Sequence, residues 1–432
     1  MIEIAFLAMG VLVATLTLGV PLPWCFGAAL MVMYFIGGVT MKGMMIWGFQ
    51  QLGNPVLLAI PLFVLAGTIM SESGIAASLL RFVNAFIGHV RGGLGVVAAV
   101  TCAVIGAISG SGLTGVSAIG PLLIPEMEKR GYPREYATAL IANSSILGLL
   151  IPPSATMILF GWVTDTSIAA CFLATLGPGL LIMVNFCIVN LWMSRKFNLV
   201  LDEKPAFSEF AGEITRRGIN AFPALLMPVM ILGGIYGGIM TPTESAAVAV
   251  IYAIPVGFLI YKGLRFSNFF SAGKEAATAV GAIMLMILFS MILGRMFIYE
   301  GIPQQLVSVI FGITENKILL LILINVLLFL VGMVVNDATS ILLVAPLLMP
   351  LMQAMDVSPV QFAAIMGVNT AMGGVTPPYA SILYLGARIG KVKVTKVIPP
   401  AMALIVLGYV PVVFLTSFWP DLSLYLPRLF GY

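Results

Sequence analysis

Residues 143–154 read Asn-Ser-Ser-Ile-Leu-Gly-Leu-Leu-Ile-Pro-Pro-Ser, and residues 369–378 read Asn-Thr-Ala-Met-Gly-Gly-Val-Thr-Pro-Pro. Each sits midway along an apolar stretch too long for one uninterrupted span, about 134–163 and about 359–388. Paired prolines remove two amide donors and bar helix through the residue before them. Gly148 and Gly373 permit the turn. Carbonyls ahead of each break lose their helical partners and become available to a cation.

The rest of the chain says in what solvent these breaks lie. Of 432 residues, 60% are hydrophobic and 9% charged, and the mean hydropathy is +1.10. A soluble domain carries about 25% charged residues. The composition therefore predicts an all-α polytopic membrane protein, and irregular backbone there must line a cavity or be buried in protein. One histidine, His89, is too few for a multi-His metal site. Cys25, Cys102, Cys171 and Cys187 form no C-x-x-C pair and read as small apolar side chains. The start, Met-Ile-Glu-Ile, reads as a retained membrane segment. No Walker A, G-x-S-x-G or H-E-x-x-H motif occurs, so ATP hydrolysis and the commoner hydrolase chemistries are not expected.

Spans of about 20 apolar residues are expected near 4–20, 22–40, 54–71, 171–193, 220–238, 243–262, 276–299 and 400–418. Two further stretches, about 94–125 and about 318–355, are broken by polar or Gly-containing centres and read as reentrant helical hairpins. With that reading, five basic stretches (81–91, 129–134, 195–217, 262–274 and 388–396) fall on one side, and they hold 17 of the 21 Lys and Arg. The positive-inside rule makes that side cytoplasmic and puts both termini outside, with about ten full spans.

The chain also repeats itself at an offset of 225 residues. Pro121-Leu-Leu-Ile-Pro125 matches Pro346-Leu-Leu-Met-Pro350, in register with Pro152-Pro153 and Pro377-Pro378. At an offset of 227, Gly67 and Gly74-Ile75 match Gly294 and Gly301-Ile302. The expected organisation is a first repeat over 1–193, a cytoplasmic connecting loop over 194–219 and a second repeat over 220–432. Each repeat has about five spans, one hairpin and one Pro-Pro broken helix. Five is odd, so the second repeat enters from the opposite side and the topology is inverted.

The chemistry concentrates at four polar interruptions. The first hairpin tip reads Ser109-Gly-Ser-Gly-Leu-Thr-Gly-Val-Ser117, and the second reads Asn336-Asp-Ala-Thr-Ser340. Hydroxyls and freed carbonyls suit a hard cation such as Na⁺. Ser109, Ser111, Gly112, Thr114, Asn143, Ser144, Ser145 and Gly148 are the candidate cation ligands of the first half. Asn336, Asp337, Thr339, Asn369, Thr370, Gly373 and Thr376 are those of the second. Arg295, Asp337 and Glu244 are ionisable groups within apolar surroundings and are the expected substrate-binding residues, with Arg295 facing an anionic group. A structural ion pair of Arg295 with Asp337 or Glu244, or snorkelling to the outer interface, is the competing account.

Met240-Thr-Pro-Thr-Glu-Ser-Ala-Ala247, Ser109 to Gly112 with Pro121 to Pro125, Asn143 to Pro153 and Gly367 to Pro378 resemble the large membrane (M) subunit of a TRAP (tripartite ATP-independent periplasmic) transporter. The resemblance runs nearly end to end, and the overall look is similar to sialic acid members. It implies a Na⁺-driven importer in a bacterial inner membrane, with two or more ions, one cation site built by the first-half candidates between the first tip and the first broken helix and a second built by the second-half candidates between the second tip and the second broken helix. It implies two partners, a separate small four-helix membrane (Q) subunit and a periplasmic substrate-binding protein (P). The substrate would be an organic acid such as sialic acid or a C4-dicarboxylate. The mechanism would be an elevator, a transport domain with both hairpins and both broken helices moving against a scaffold. No nucleic-acid partner is expected. The competing functions are a stand-alone Na⁺-coupled dicarboxylate symporter, an anion channel and an intramembrane enzyme.

Overall fold

A computed structural model describes residues 2–38, 40–200 and 207–432. All regular structure among them is helical. The first half runs α1 (Ile2–Thr17), α2 (Leu22–Phe35), α3 (Met41–Leu52), α4 (Ala59–Glu72), α5 (Ile75–Ile87), α6 (Gly93–Ser109), α7 (Gly112–Lys129), α8 (Arg134–Ser145), α9 (Leu147–Leu150), α10 (Ala155–Val163) and α11 (Ile168–Met193). The second runs α12 (Phe207–Tyr236), α13 (Pro242–Pro255), α14 (Phe266–Tyr299), α15 (Ile302–Ile313), α16 (Lys317–Val334), α17 (Asp337–Ala354), α18 (Pro359–Gly373), α19 (Ser381–Gly390), α20 (Val394–Leu404), α21 (Val410–Phe418) and α22 (Asp421–Leu429). Nine helical segments among the described residues are long and apolar enough to cross a bilayer. The protein is a polytopic membrane protein.

Every span expected from the sequence coincides with a helix. The two interrupted stretches are helix pairs joined by two-residue connections, α6–α7 through Gly110-Ser111 and α16–α17 through Val335-Asn336. The breaks at the paired prolines are present too. Helix stops after Leu150 and restarts at Ala155, and stops after Gly373 and restarts at Ser381. Both Pro-Pro bonds, Pro152-Pro153 and Pro377-Pro378, are cis. The sequence reading did not include α3, α5, α15 or α22. These are short helices of 9 to 13 residues, below spanning length, and α5 and α15 each start at a left-handed glycine, Gly74 and Gly301. Helix also continues past Gly148 to Leu150, so the first break falls at the prolines themselves.

The basic stretches meet at one end of the molecule. Arg217 donates to the Arg81 carbonyl at 2.9 Å and Arg91 to that of Phe197 at 3.0 Å. The Val200 amide donates to the Arg130 carbonyl at 3.1 Å, and Arg134 Nε to that of Gly390 at 2.6 Å. Tyr261, beside the fourth stretch, donates its hydroxyl to the Asn220 carbonyl at 2.7 Å. The middle of the connecting loop, 201–206, lies outside the described residues. At the other end a surface pocket brings together Asn54, Asp165, Gly238 and Tyr432.

The two halves interlock through the far pieces of the broken helices. α8 packs against both helices of the first pair, and α18 against both of the second. Beyond its break, α10 crosses to pack on α17, while α19 crosses to pack on α7 and α8. Each half thus lends a helix to the other half's hairpin.

Candidate functional site

The first tip is pressed onto the first broken helix by glycines. Ser109 ends α6, Gly110 turns with φ +63°, and Ser111 is extended before α7 begins. A Cβ on Gly112 would lie 3.2 Å from the Ser145 carbonyl oxygen, and one on Gly148 would lie 3.0 Å from that of Ser111. Ser109, Ser111, Gly112, Ser145 and Gly148 are therefore brought together. Asn143, Ser144 and Ser145 are fully buried. Asn143 Nδ2 donates to the Ala139 carbonyl at 2.9 Å and Ser145 Oγ to that of Ile141 at 2.7 Å. Asn143 Oδ1 and Ser144 Oγ are left buried with no hydrogen-bond partner. Thr114 is half-buried in the first turn of α7.

The second tip has the same parts. Asn336 caps α17, its Oδ1 accepting from the Thr339 amide at 2.9 Å. Asn336 Nδ2 and Thr339 Oγ1 both face Met286 Sδ on α14. The Tyr379 amide donates to the Met333 carbonyl at 3.0 Å and ties the unwound segment to the tip. A Cβ on Gly332 would lie 3.5 Å from the Asn369 carbonyl oxygen. Asn369, Thr370, Gly373 and Thr376 are buried, and Asn369 Oδ1 has no partner. Asp337 stands half-buried as the first residue of α17. Ile382 of α19 reaches both regions, its Cδ1 lying 2.7 Å from a Cβ built on Gly112 and 3.3 Å from one built on Gly374.

The expectation of open carbonyls needs a correction at two places. Ser154 Oγ donates to the Leu149 carbonyl at 2.6 Å, and Thr376 Oγ1 donates to that of Met372 at 2.8 Å. Hydroxyls within the broken segments take up these acceptors. Beside the breaks, three buried side-chain oxygens have no hydrogen-bond partner: Asn143 Oδ1, Ser144 Oγ and Asn369 Oδ1. Buried polar atoms without partners are few in folded proteins, and an ion is one of the usual reasons for them. Hard amide and hydroxyl oxygens fit an alkali cation.

Arg295 lies on α14, and its guanidinium stacks on Trp47 at 5.3 Å and on Tyr299 at 5.1 Å. Among the described residues it forms no ion pair with Asp337 or Glu244. It lines a cavity of about 160 Å³ walled by Trp47 and Gln51 of α3, Trp162 of α10, and Leu342 and Pro346 of α17. Leu342 is five residues beyond Asp337, about 7.5 Å along the helix axis. The cavity thus flanks the second tip without containing it. Glu244 is elsewhere and exposed. Its carboxylate accepts from the Thr241 amide at 2.7 Å and hydroxyl at 2.9 Å, completing a capping box on α13. Helix termination accounts for Glu244 without a substrate.

Sequence reasoning missed Trp47, Gln51, Trp162, Asn325 and Ser417. Asn325 had a signal: it is the lone polar side chain after Lys317 in the apolar run of α16. The aromatic residues had none, because Trp and Tyr near a span's end also read as interfacial anchors.

Residues 9–421 match the profile of a family described as "Tripartite ATP-independent periplasmic transporter, DctM component". The sialic acid TRAP transporter large permease protein SiaM of Vibrio cholerae is 34% identical over 89% of this chain and 90% of its own. The ectoine TRAP transporter large permease protein TeaC of Halomonas elongata is 32% identical over 96% of this chain and 97% of its own. The isethionate TRAP transporter permease protein DctMQ of Oleidesulfovibrio alaskensis is 32% identical over 95% of this chain, which spans 64% of that protein's length. Among solved structures, the YdaH transporter of Alcanivorax borkumensis superimposes with a TM-score of 0.61 at 16% identity, covering 91% of this chain and 88% of that one. MtrF of Neisseria gonorrhoeae gives a TM-score of 0.57 at 14% identity, covering 90% and 85%. These two similarities concern the fold.

Proposed function

The chain belongs to the DctM component family of tripartite ATP-independent periplasmic transporters, and from that premise we propose that it is the large permease subunit of a Na⁺-coupled importer of an organic acid. It is a transporter component and not an enzyme. The observation that carries the Na⁺ reading is the set of buried, unpartnered oxygens beside the two helix breaks, Asn143 Oδ1, Ser144 Oγ and Asn369 Oδ1. One ion sits between the first tip and α8, a second between the second tip and α18.

Arg295 supplies the substrate's counter-ion. A guanidinium placed over two aromatic rings and lining a cavity can offer its N–H fork to a carboxylate or sulfonate. The relatives named above carry isethionate, sialic acid and ectoine, and each of these compounds bears such an acidic group. The small membrane subunit and the periplasmic binding protein complete the system, which sits in a bacterial inner membrane with the basic end cytoplasmic and the termini periplasmic.

The two halves act as inverted repeats. Hairpins and broken helices form a transport domain, and the exchange of α10 and α19 between halves makes it one body. It moves as an elevator against the surrounding helices, carrying substrate and ions together.

Uptake into proteoliposomes tests the proposal, with labelled sialic acid, ectoine, isethionate and succinate each supplied with the cognate binding protein. An inward Na⁺ gradient drives accumulation of one of them, and replacing Na⁺ by choline abolishes it. Equal uptake in choline rejects Na⁺ coupling, and full uptake without any binding protein indicates a stand-alone symporter.

A further inference from the structure

Asn369 is 1% exposed and sits one turn before the end of α18. Its Nδ2 donates to the Ile365 carbonyl at 2.9 Å and to Asn325 Oδ1 at 2.7 Å. Those two bonds use both N–H groups of the amide. The Ile365 carbonyl can only accept, so turning the amide over would set oxygen against oxygen. Asn325 is fixed by the same logic. Its Nδ2 donates to the Leu321 carbonyl at 2.7 Å and to Ser417 Oγ at 2.8 Å, and its Oδ1 receives Asn369; the Ser417 hydroxyl lies 3.1 Å from both that Oδ1 and the Val413 carbonyl, either of which can take its proton. Gln361 binds the Ser417 carbonyl at 3.2 Å, and the Tyr409 hydroxyl binds the Val368 carbonyl, next to Asn369, at 2.8 Å. Asn325, Ser417, Gln361 and Tyr409 are all buried. A chain of acceptor-only carbonyls thus dictates every amide orientation, and Asn369 Oδ1 is the amide oxygen it leaves open. The first half lacks this device: Asn143 Nδ2 bonds the Ala139 carbonyl and has no second side-chain acceptor among the described residues.

We infer that Asn325 and Ser417 are positioning residues for the second cation site, holding Asn369 so that its carbonyl oxygen and not its NH₂ group faces the ion, and coupling α21 to that ion. The inference rests on the two-ion reading of the preceding subsection. Outer partners of a metal ligand set its orientation, and their loss commonly weakens binding by about tenfold or more.

The test uses the full chain in lipid nanodiscs, with its unfolding temperature followed as NaCl replaces choline chloride at constant ionic strength. Asn369→Ala and Asn325→Leu raise the half-saturating Na⁺, the latter about tenfold. Asn325→Gln keeps both an N–H for the Leu321 carbonyl and an acceptor for Asn369, so it holds the half-saturating Na⁺ near that of the unmodified chain even where its extra methylene lowers the unfolding temperature in choline. A merely structural role would make the two readings move together. If Asn325→Leu does not fold, Ser417→Ala decides, with an increase of about tenfold expected. An unchanged half-saturating Na⁺ in Asn325→Leu or Ser417→Ala, with Asn369→Ala impaired, overturns the positioning role and leaves the ion site standing. An unmodified chain that unfolds alike in Na⁺ and choline overturns the ion sites and the inference with them.

Discussion

Gly106 and Gly148 meet backbone to backbone, so that a Cβ on Gly106 would stand 2.2 Å from Gly148 Cα. The second half repeats the relation: a Cβ on Gly373 would stand 2.2 Å from the Gly332 carbonyl carbon. In both, the first helix of a hairpin touches the broken helix just ahead of its prolines. Side chains at these positions would hold the tips away from the open oxygens of Asn143 and Asn369. The glycines therefore set the distance across which an ion could be shared.

Gly106→Ala and Gly373→Ala are expected to prevent correct packing, because the obstructing atoms are backbone and cannot rotate aside. The cost falls in the class above about 4 kcal/mol. Gly281→Ala in α14, where nothing lies within 4 Å of the new methyl group, is expected to change stability by about 1 kcal/mol or less. Unfolding temperature and monodisperse yield in detergent report the contrast. Equal behaviour of the three variants would contradict the close approach.

Glu244 was expected at the substrate and is found capping α13. Thr241→Ala and Glu244→Ala should each lower stability by about 1 kcal/mol, the usual value of an N-cap. Substrate half-saturation in uptake should stay unchanged. A variant that unfolds normally but no longer saturates with substrate would return Glu244 to the binding site.

The large features were legible because each has a strong local cause. Apolar runs of spanning length, paired prolines and Gly-Ser tips act on the backbone wherever the chain is placed, and all reappear as helices, breaks and turns. The short helices α3 and α5 were not legible, since Met41–Leu52 and Ile75–Ile87 are too short to span and too mixed to stand out. The Trp47–Arg295–Tyr299 stack was not legible either. It joins residues about 250 positions apart, and no periodicity in one segment records a partner in another. Asn325 shows the middle case: a polar residue in an apolar run signals a buried bond, but only the fold identifies Asn369 and Ser417 as its partners.

The proposed orientation, with the converging basic stretches cytoplasmic, can be read by labelling. Cys25, Cys102 and Cys171 are buried and Cys187 is half-buried, so background reaction is small. Glu315→Cys, at the exposed start of α16, should react with a membrane-impermeant maleimide in intact spheroplasts. Arg265→Cys, exposed in a basic stretch, should react only after permeabilisation. The reverse pattern would turn the protein over in the membrane.

Arg295 is the most exposed point of the substrate assignment to experiment. Its guanidinium is kept between Trp47 and Tyr299, and stacking of this kind is worth about 0.5–2 kcal/mol. Planarity makes the side chain hard to replace, because an ammonium offers no fork and stacks less well. Arg295→Ala should lower uptake per unit substrate concentration by about 100-fold, the cost of losing a charged hydrogen-bonding partner. Arg295→Lys should recover part of that loss. Trp47→Leu should mimic Arg295→Lys in raising the half-saturating substrate concentration while leaving the Na⁺ requirement as it was, since neither residue touches the tips. If Arg295→Ala takes up substrate at the undiminished rate, the guanidinium is an interfacial anchor and the acidic group of the substrate is held elsewhere, with the N-terminus of α17 at Asp337 as the next place to look.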